Sequence, residues 1–253
     1  MAYTLSEWSR ISATDALRER EAHVWQIGLE QPPEAVTLLR RLLSPDELER
    51  ADRFHFPDDR RAFAVCRGVA RRILGRELGV PAHELRFTYS AYGKPDIAPE
   101  QNPRGLRFNI SHSGGVALCA LAYGRRLGVD IERVREDLDY LPLSARFFAP
   151  DEHAALLALP GALRRRAFFA CWTRKEAYIK ARGEGLSFPL ESFSVSLGSQ
   201  ARLLRTGVRQ EAPATWRMAQ VPAAPDFMGA LAVEVAGAPL DALGFGQIDA
   251  VVG

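Results

Sequence analysis

The stretch Gly128-Val129-Asp130-Ile131-Glu132 alternates apolar and acidic residues with a period of two. That period predicts a half-buried β-strand, with Val129 and Ile131 facing a core and the two carboxylates projecting from the opposite face. Neighbouring carboxylates repel each other unless a positive charge lies between them, and a divalent cation with oxygen ligands supplies such a charge. An acidic edge strand facing solvent explains the same pattern, since acidic residues are mostly exposed. These five residues alone therefore leave both interpretations open.

The composition is that of an ordinary globular protein. A chain of 253 residues forms one large domain or two of usual size, and 47% of the residues are hydrophobic. The net charge of +2 gives no bulk attraction for nucleic acid. No run of about 18 apolar residues predicts a membrane span, and the N-terminus carries charges where a signal peptide is apolar. With three widely spaced cysteines and no CxxC pair, we expect a reduced, cytoplasmic protein without nucleic-acid or membrane partners.

Start and stop signals along the chain predict a mixture of helices and strands. Ser44, Pro45 and Glu47 form a helix start with a capping box, and Gly79 ends a helix expected over about residues 58–78. Further helices are predicted near 140–148, 150–159 and 164–182, and strands at 23–29, 85–89, 106–110 and 116–123, with short strands over 192–236. Residues 1–21 are expected to be loosely ordered, 111–115 to form a turn, and the last residues to form a tail.

An internal repeat underlies this layout. Pro45-Asp46-Glu47 recurs as Pro150-Asp151-Glu152, and Arg60-Arg61-Ala62-Phe63 recurs as Arg165-Arg166-Ala167-Phe168, both 105 residues later. The same shift places Trp25 and Ile27 over the two carboxylates of the acidic strand. We therefore predict an α+β fold of two similar halves, residues 1–122 and 123–253, packed as a pseudo-dimer. In that arrangement the second half alone carries the acidic pair.

A predicted helix supplies a third acidic residue. Trp172, Glu176 and Lys180 are spaced by four and therefore share one helical face. Glu176 could join the two strand carboxylates, and Lys180 could bind an anionic group. A solvent-facing Glu–Lys pair is the alternative, and it would add only a few tenths of a kcal/mol. The tryptophan on the same face favours a buried or site-lining side.

Two other stretches carry groups that suit phosphate binding. Ser111, His112 and Ser113 follow a predicted strand, and Lys94 lies in a Gly-Lys-Pro turn. Ser111 beside His112 lacks the G-x-S-x-G context of a hydrolase nucleophile. An ordinary hydrogen-bonded histidine at a strand end is the alternative for His112, and a lysine in an exposed turn is weak evidence by itself.

Taken together, five motifs resemble the 4′-phosphopantetheinyl transferases. They are Tyr92-Gly93-Lys94-Pro95, Phe108-Asn109-Ile110-Ser111-His112-Ser113, Gly128-Val129-Asp130-Ile131-Glu132, Lys175-Glu176-Ala177 within residues 172–180, and Gly185-Leu186-Ser187-Phe188-Pro189-Leu190. The resemblance covers roughly residues 44–197 and is to the large, two-half type that activates peptide and polyketide synthetases, such as the surfactin synthetase activator. It implies a monomer with a pseudo-twofold α+β fold.

The resemblance also implies a reaction. With Mg²⁺, or with Mn²⁺ in its place, the phosphopantetheine arm of coenzyme A would move onto a serine of an apo acyl or peptidyl carrier protein. Adenosine 3′,5′-bisphosphate would be released. Phosphoryl-group transfer of this kind is catalysed mainly by positioning and by neutralising charge on phosphate oxygens.

The resemblance assigns roles residue by residue. The metal ligands it implies are Asp130, Glu132 and Glu176. The catalytic residues it implies are Glu176 as base, directly or through a water, Lys180 at the pyrophosphate, and Asp130. The coenzyme A site it implies comprises Arg50, Arg53, Lys94, Pro95, Ser111, His112 and Lys180. Relatives often carry lysines near Ser44, whereas this chain has Glu47 and Arg50 there, so Arg53 or Arg61 could contribute to the phosphate clamp instead.

Three alternatives remain open from the sequence. Residues 138–148 could dock the carrier protein or could form a plain amphipathic helix that buries its leucines. A metal-dependent nuclease or phosphatase would use a similar acidic set, although it would be expected to show a basic groove with aromatic residues. A non-catalytic carrier-protein or nucleotide-binding module is the third alternative, against which the complete acidic set and Lys180 argue.

Overall fold

The fold comes from a computed structural model, which describes residues 8–235 and 237–248. The helices in this part of the chain are α1 (Pro33–Arg40), α2 (Pro45–Asp52), α3 (Pro57–Leu78), α4 (Tyr140–Phe147), α5 (Pro150–Ala158) and α6 (Gly161–Arg182). The strands are β1 (Trp8–Arg10), β2 (Glu21–Gly28), β3 (Phe87–Tyr89), β4 (Pro95–Ile97), β5 (Leu106–Ser113), β6 (Val116–Tyr123), β7 (Leu127–Arg133), β8 (Ser194–Val195), β9 (Leu203–Arg205), β10 (Trp216–Val221), β11 (Phe227–Glu234) and β12 (Ala242–Ile248).

Two sheets organise these elements. The larger has the order β1-β12-β2-β6-β5, and the smaller has the order β10-β11-β7. Helix α3 packs in the core of the larger sheet, and α6 packs against β7 and β11. A third core, with Val24 and Leu118 from the larger sheet and Val129 and Ile131 from the smaller, joins the two. The α+β prediction is confirmed, and the apolar residues of the acidic strand face a core as expected.

The helical part of the repeat is visible in the structure. Helices α2 and α5 both begin at a proline, and in each the third residue, Glu47 or Glu152, accepts a hydrogen bond from the backbone N–H that precedes the helix. The helices that follow, α3 and α6, have 22 residues each and end at Gly79 and Gly183 in the left-handed conformation. The division into residues 1–122 and 123–253 stays a prediction. Strand β12 belongs by sequence to the second of these ranges, but it lies in the larger sheet, beside β1 and β2.

Two predictions, of a loosely ordered N-terminal segment and of a C-terminal tail, are wrong for the described residues. Residues 8–10 form an edge strand instead of loose coil, and residues 242–248 form β12 between β1 and β2 instead of a tail. Gly244 and Gly246 of β12 lie against aromatic rings of β2. A Cβ at Gly244 would lie 2.8 Å from the His23 ring, and one at Gly246 would lie 2.5 Å from the Trp25 ring. The expectations for residues 1–7 and 249–253 fall outside the described residues.

The structure differs from the sequence prediction in two further elements, β5 and α1. Strand β5 continues through Ser113, so the turn expected over 111–115 is confined to Gly114 and Gly115. Helix α1 was not expected from the sequence. Within the described residues, no helix combines the length and the apolar character needed to cross a membrane.

A buried ion pair fixes α6 against α5. The Lys175 ammonium lies 2.5 Å from Glu152 Oε2 and also donates to the carbonyl oxygen of Phe193 at 2.8 Å. Both charged side chains are at most 1% exposed. Glu47 and Arg71 form a corresponding buried pair in the first half. Because Lys175 directly precedes Glu176, this pair helps to set the position of the acidic helix face.

We expect Lys175→Met to lower the free energy of unfolding by about 3–5 kcal/mol, because it leaves Glu152 buried and unpaired. Denaturant unfolding followed by circular dichroism measures this loss. Arg40→Gln is the control, since the pair of Arg40 with Asp52 is partly exposed and its loss costs about 1 kcal/mol or less. Equal losses in the two variants would contradict a structural role for the buried pair.

Candidate active site

The site begins where β7 passes closely beside α6. A Cβ on Gly128 would lie 2.1 Å from the carbonyl oxygen of Ala177 and 2.4 Å from the backbone nitrogen of Ala181. Real Cβ atoms essentially never come so close to backbone atoms, so glycine is required there. This close approach brings the acidic face of β7 next to the helix face that carries Glu176 and Lys180.

Asp130 is the most buried carboxylate of the site, with only 2% of its surface exposed. Its Oδ1 accepts hydrogen bonds from Lys180 Nζ at 2.5 Å and from Ser111 Oγ at 2.8 Å. Its Oδ2 is buried and has no hydrogen-bond partner among the described residues. Burial raises the pKa of the Asp130 carboxyl, and the charge and hydrogen bond of Lys180 oppose that rise.

The other two carboxylates respond to the charge of Asp130. Glu132 accepts a hydrogen bond from Ser113 Oγ at 2.8 Å, and its pKa is raised by burial and by Asp130. The pKa of Glu176 is raised to about 7, first by burial and then by Asp130, against a lowering effect of Lys180. The three carboxylates therefore share one electrostatic environment, which a further cation would stabilise.

The three carboxylates offer the oxygen ligands of a divalent-cation site. As the side chains stand, no three acidic, histidine or cysteine residues in the described ranges form a ready-made metal cluster. However, Asp130 presents an orphaned buried oxygen, and Glu132 and Glu176 add carboxylate oxygens beside it, which are the ligands that Mg²⁺ prefers. The residues therefore fit a hard cation chemically, once their side chains adjust and the ammonium of Lys180 leaves Asp130.

Strand β5 supports the acidic strand through alternate residues. Asn109 Oδ1 accepts a hydrogen bond from the backbone N–H of Val129 at 2.8 Å, while Ser111 and Ser113 donate to the carboxylates of β7. The sequence prediction gave Asn109 no role and related Ser113 to phosphate instead of to Glu132, because it ended the strand at residue 110. The period-two spacing of these three small polar residues is the signal that could have found them.

His112 points away from these serines, towards a cavity of about 740 Å³. The cavity is lined by residues of the first half, among them Arg61 and Phe63, and the guanidinium of Arg50 lies 5.6 Å from the centre of the Phe63 ring. Burial lowers the pKa of His112, and the Lys180 ammonium lowers it further. Arg61 and His112 thus line one cavity, and Arg50 lies over the ring of another lining residue, Phe63. Arg53 forms an exposed ion pair with Glu49, as Arg61 does with Asp58.

Lys94 lies elsewhere in the site. Its Nζ donates to the carbonyl oxygen of Lys180 at 2.5 Å and to that of Leu127 at 3.2 Å. These bonds tie the turn before Pro95, the first residue of β4, to the last turn of α6 and the start of β7. Burial lowers the pKa of Lys94 to about 8. A direct contact of Lys94 or Pro95 with coenzyme A stays a prediction.

A second, mainly apolar cavity of about 360 Å³ adjoins the carboxylates on the side of α4. Glu132, Arg135 and Trp172 line it together with Leu138 and Leu143. The same two leucines also pack against the core of the second half, so residues 138–148 are partly an amphipathic helix of the ordinary kind. Trp172 lies on the site-lining side of α6, as its spacing with Glu176 predicted.

Comparison with known proteins matches both halves to one enzyme family. Residues 126–235 match the model of the 4′-phosphopantetheinyl transferase superfamily, and residues 31–123 match the model of the 4′-phosphopantetheinyl transferase N-terminal region. The chain is 42% identical to the 4′-phosphopantetheinyl transferase HetI of Nostoc sp., over 86% of this chain and 88% of the relative.

Two other relatives carry the same description. A putative 4′-phosphopantetheinyl transferase of Synechocystis sp. is 35% identical over 66% of this chain and 67% of the relative. The 4′-phosphopantetheinyl transferase Sfp of Bacillus subtilis is 34% identical over 61% of this chain and 66% of the relative. The chain therefore belongs to the 4′-phosphopantetheinyl transferase superfamily and is an enzyme of that kind.

Proposed function

We propose that this transferase moves the 4′-phosphopantetheine arm of coenzyme A onto a serine of an apo acyl or peptidyl carrier protein, with Mg²⁺ or Mn²⁺ as cofactor. The observation that carries the proposal is the meeting of three carboxylates and one ammonium, contributed by β7 and α6. Adenosine 3′,5′-bisphosphate would be the second product. The acidic set and Lys180 supply the charges that transfer from a pyrophosphate requires.

The carboxylates would hold the cation. Asp130, Glu132 and Glu176 offer oxygen ligands, and the orphaned Oδ2 of Asp130 supports this role. When bound, the divalent ion neutralises charge on the pyrophosphate oxygens. Ser111 and Ser113 hold two of the carboxylates by hydrogen bonds, and so orient them before the substrate arrives.

The proton and the leaving group need separate residues. The carrier serine oxygen attacks the β-phosphorus of coenzyme A, and the bond from that phosphorus to the bridging oxygen breaks. Glu176 is suited to accept the serine proton, because burial and the Asp130 charge raise its pKa to about 7 when no cation is bound. The ammonium of Lys180 is suited to stabilise the charge that develops on the departing bisphosphate.

The two cavities suggest where the substrates lie. The larger cavity has Arg61 and His112 in its wall, with the Arg50 guanidinium over the ring of Phe63, and would receive the nucleotide of coenzyme A. The apolar cavity beside Trp172 would face the carrier protein, with residues 138–148 as its docking segment. We further expect a cytoplasmic monomer that serves polyketide or peptide synthetases.

The proposal is tested by mass spectrometry of intact carrier proteins. Apo carriers of the fatty-acid, polyketide and peptide types are incubated with the enzyme, coenzyme A and Mg²⁺. A mass gain of one phosphopantetheine arm is expected, and it should disappear when the carrier serine is replaced by alanine. No gain on any carrier would refute the proposal. Release of the bisphosphate without a gain on the carrier would instead indicate hydrolysis by a metal-dependent phosphatase.

A further inference from the structure

We propose that the Lys180 ammonium is the internal counter-ion of the acidic site and competes with the divalent cation for Asp130, so that coenzyme A promotes metal binding by drawing this ammonium away. The inference rests on the proposed function, because it concerns the same three carboxylates. It goes beyond that function by assigning Lys180 a second role before any substrate is bound.

The contacts of Lys180 place its charge on an oxygen of the carboxylate that the metal would use. Nζ lies 2.5 Å from Asp130 Oδ1 and 2.9 Å from Ser111 Oγ. The side chain of Asp130 is 3% exposed, so an unpaired charge there would be costly. The ammonium relieves that cost when no other cation is present. A divalent ion at the same carboxylate would be repelled by it at this short range.

The ammonium can leave without disturbing the fold. The side chain of Lys180 is 29% exposed, whereas its backbone carbonyl is held by Lys94. Only the flexible four-carbon stem of the side chain needs to rotate for Nζ to reach a phosphate. Departure of the ammonium leaves Oδ1 of Asp130 with the Ser111 hydroxyl as a donor, while Oδ2 has no hydrogen-bond partner among the described residues.

The exchange of the ammonium couples the binding of the metal to the binding of coenzyme A. A ligand whose phosphates attract the Lys180 ammonium raises the affinity for the metal, and the metal raises the affinity for that ligand by the same factor. The protein without coenzyme A should therefore bind Mn²⁺ more weakly than its three carboxylates alone would allow. Removing the ammonium should strengthen metal binding, even though it should weaken catalysis.

The test measures Mn²⁺ binding by electron paramagnetic resonance, without carrier protein and without turnover. Lys180→Gln is the main variant, because its amide still donates to Asp130 and protects the fold. We expect Lys180→Gln to bind Mn²⁺ about tenfold more tightly than the wild type, equivalent to about 1.4 kcal/mol. Lys180→Met, which retains the apolar stem, should show the same direction. Coenzyme A should raise Mn²⁺ affinity by a larger factor in the wild type than in either variant.

Arg135→Gln is the matched control for removal of one positive charge. Arg135 acts on Glu132 through space and lines the apolar cavity, so its removal should change Mn²⁺ affinity by about threefold or less. Unchanged or weaker Mn²⁺ binding in both Lys180 variants overturns the inference, as does an equal gain in Arg135→Gln. Failure of the proposed function would appear separately, as absence of carrier modification by an enzyme whose Mn²⁺ binding responds to Lys180 as expected.

Discussion

Asp130→Asn is expected to reduce phosphopantetheine transfer by about a thousandfold or more, because it removes the carboxylate charge at the centre of the site. Asparagine keeps the size of the side chain and an oxygen that can accept the hydrogen bonds of Lys180 and Ser111. The amide nitrogen would occupy the place of Oδ2, where a buried donor without a partner costs about 1–3 kcal/mol. The fold should survive that cost, while binding of a cation should not.

Two measurements separate the loss of charge from the loss of structure. Initial rates of carrier modification, at increasing Mg²⁺, show whether excess metal restores activity, and thermal unfolding shows whether the variant is folded. Asp137→Asn, at an exposed carboxylate outside the site, is the control and should retain the wild-type rate. Full activity of Asp130→Asn at saturating Mg²⁺ would exclude Asp130 as a metal ligand.

Asp130→Asn should also lower the pKa of the neighbouring Glu176. The charge of Asp130 is one cause of the raised pKa of Glu176, which is about 7. Without that charge, the pKa of Glu176 should fall towards its ordinary value, since Lys180 still favours the ionised form. A carboxyl NMR titration of the metal-free protein measures this shift. An unchanged pKa would show that the charge of Asp130 does not contribute to the raised pKa of Glu176.

Gly128→Ala is expected to lower the free energy of unfolding by about 3 kcal/mol and to abolish most of the transfer activity. The added methyl group would overlap the carbonyl oxygen of Ala177 and the backbone nitrogen of Ala181. Neither backbone atom can move without shifting α6 away from β7. Such a shift separates Asp130 from Lys180, so stability and activity should fall together.

Denaturant unfolding and the carrier assay measure the two effects of Gly128→Ala. Gly161→Ala is the matched control at the first residue of α6, where no described atom lies within 4 Å of the new Cβ position. That substitution should leave activity unchanged and should raise stability slightly, by about 0.4–1 kcal/mol. An unchanged unfolding midpoint for Gly128→Ala would show that the strand and the helix are not tightly apposed in solution.

Much of the site could be predicted because its residues follow local periods. The two-residue period of the acidic strand identified Asp130 and Glu132, and the four-residue spacing on the helix identified Glu176 and Lys180. Their proximity could not be derived from either period, since Asp130 and Lys180 lie 50 residues apart. The family resemblance supplied that link, and the structure shows the contact itself.

Other features were not predictable because their partners are backbone atoms or distant rings. The hydrogen bonds of Lys94 Nζ to two backbone carbonyl groups could not be predicted, because a carbonyl carries no signature in the sequence. The last residues were expected to form a tail, whereas in β12 Gly244 and Gly246 leave room for the rings of His23 and Trp25 on the neighbouring strand. Contacts of this kind become visible only when the tertiary fold is known.

The position of β12 has a consequence for how the chain folds during synthesis. This strand pairs with β2 on one side and with β1 on the other, in parallel, although more than 200 residues separate it from them in sequence. A ribosome would release β2 long before β12, and the open edge of β2 would meanwhile be able to pair with other chains. The first half thus acquires its finished sheet only when the C-terminal strand arrives, and the two halves mature together.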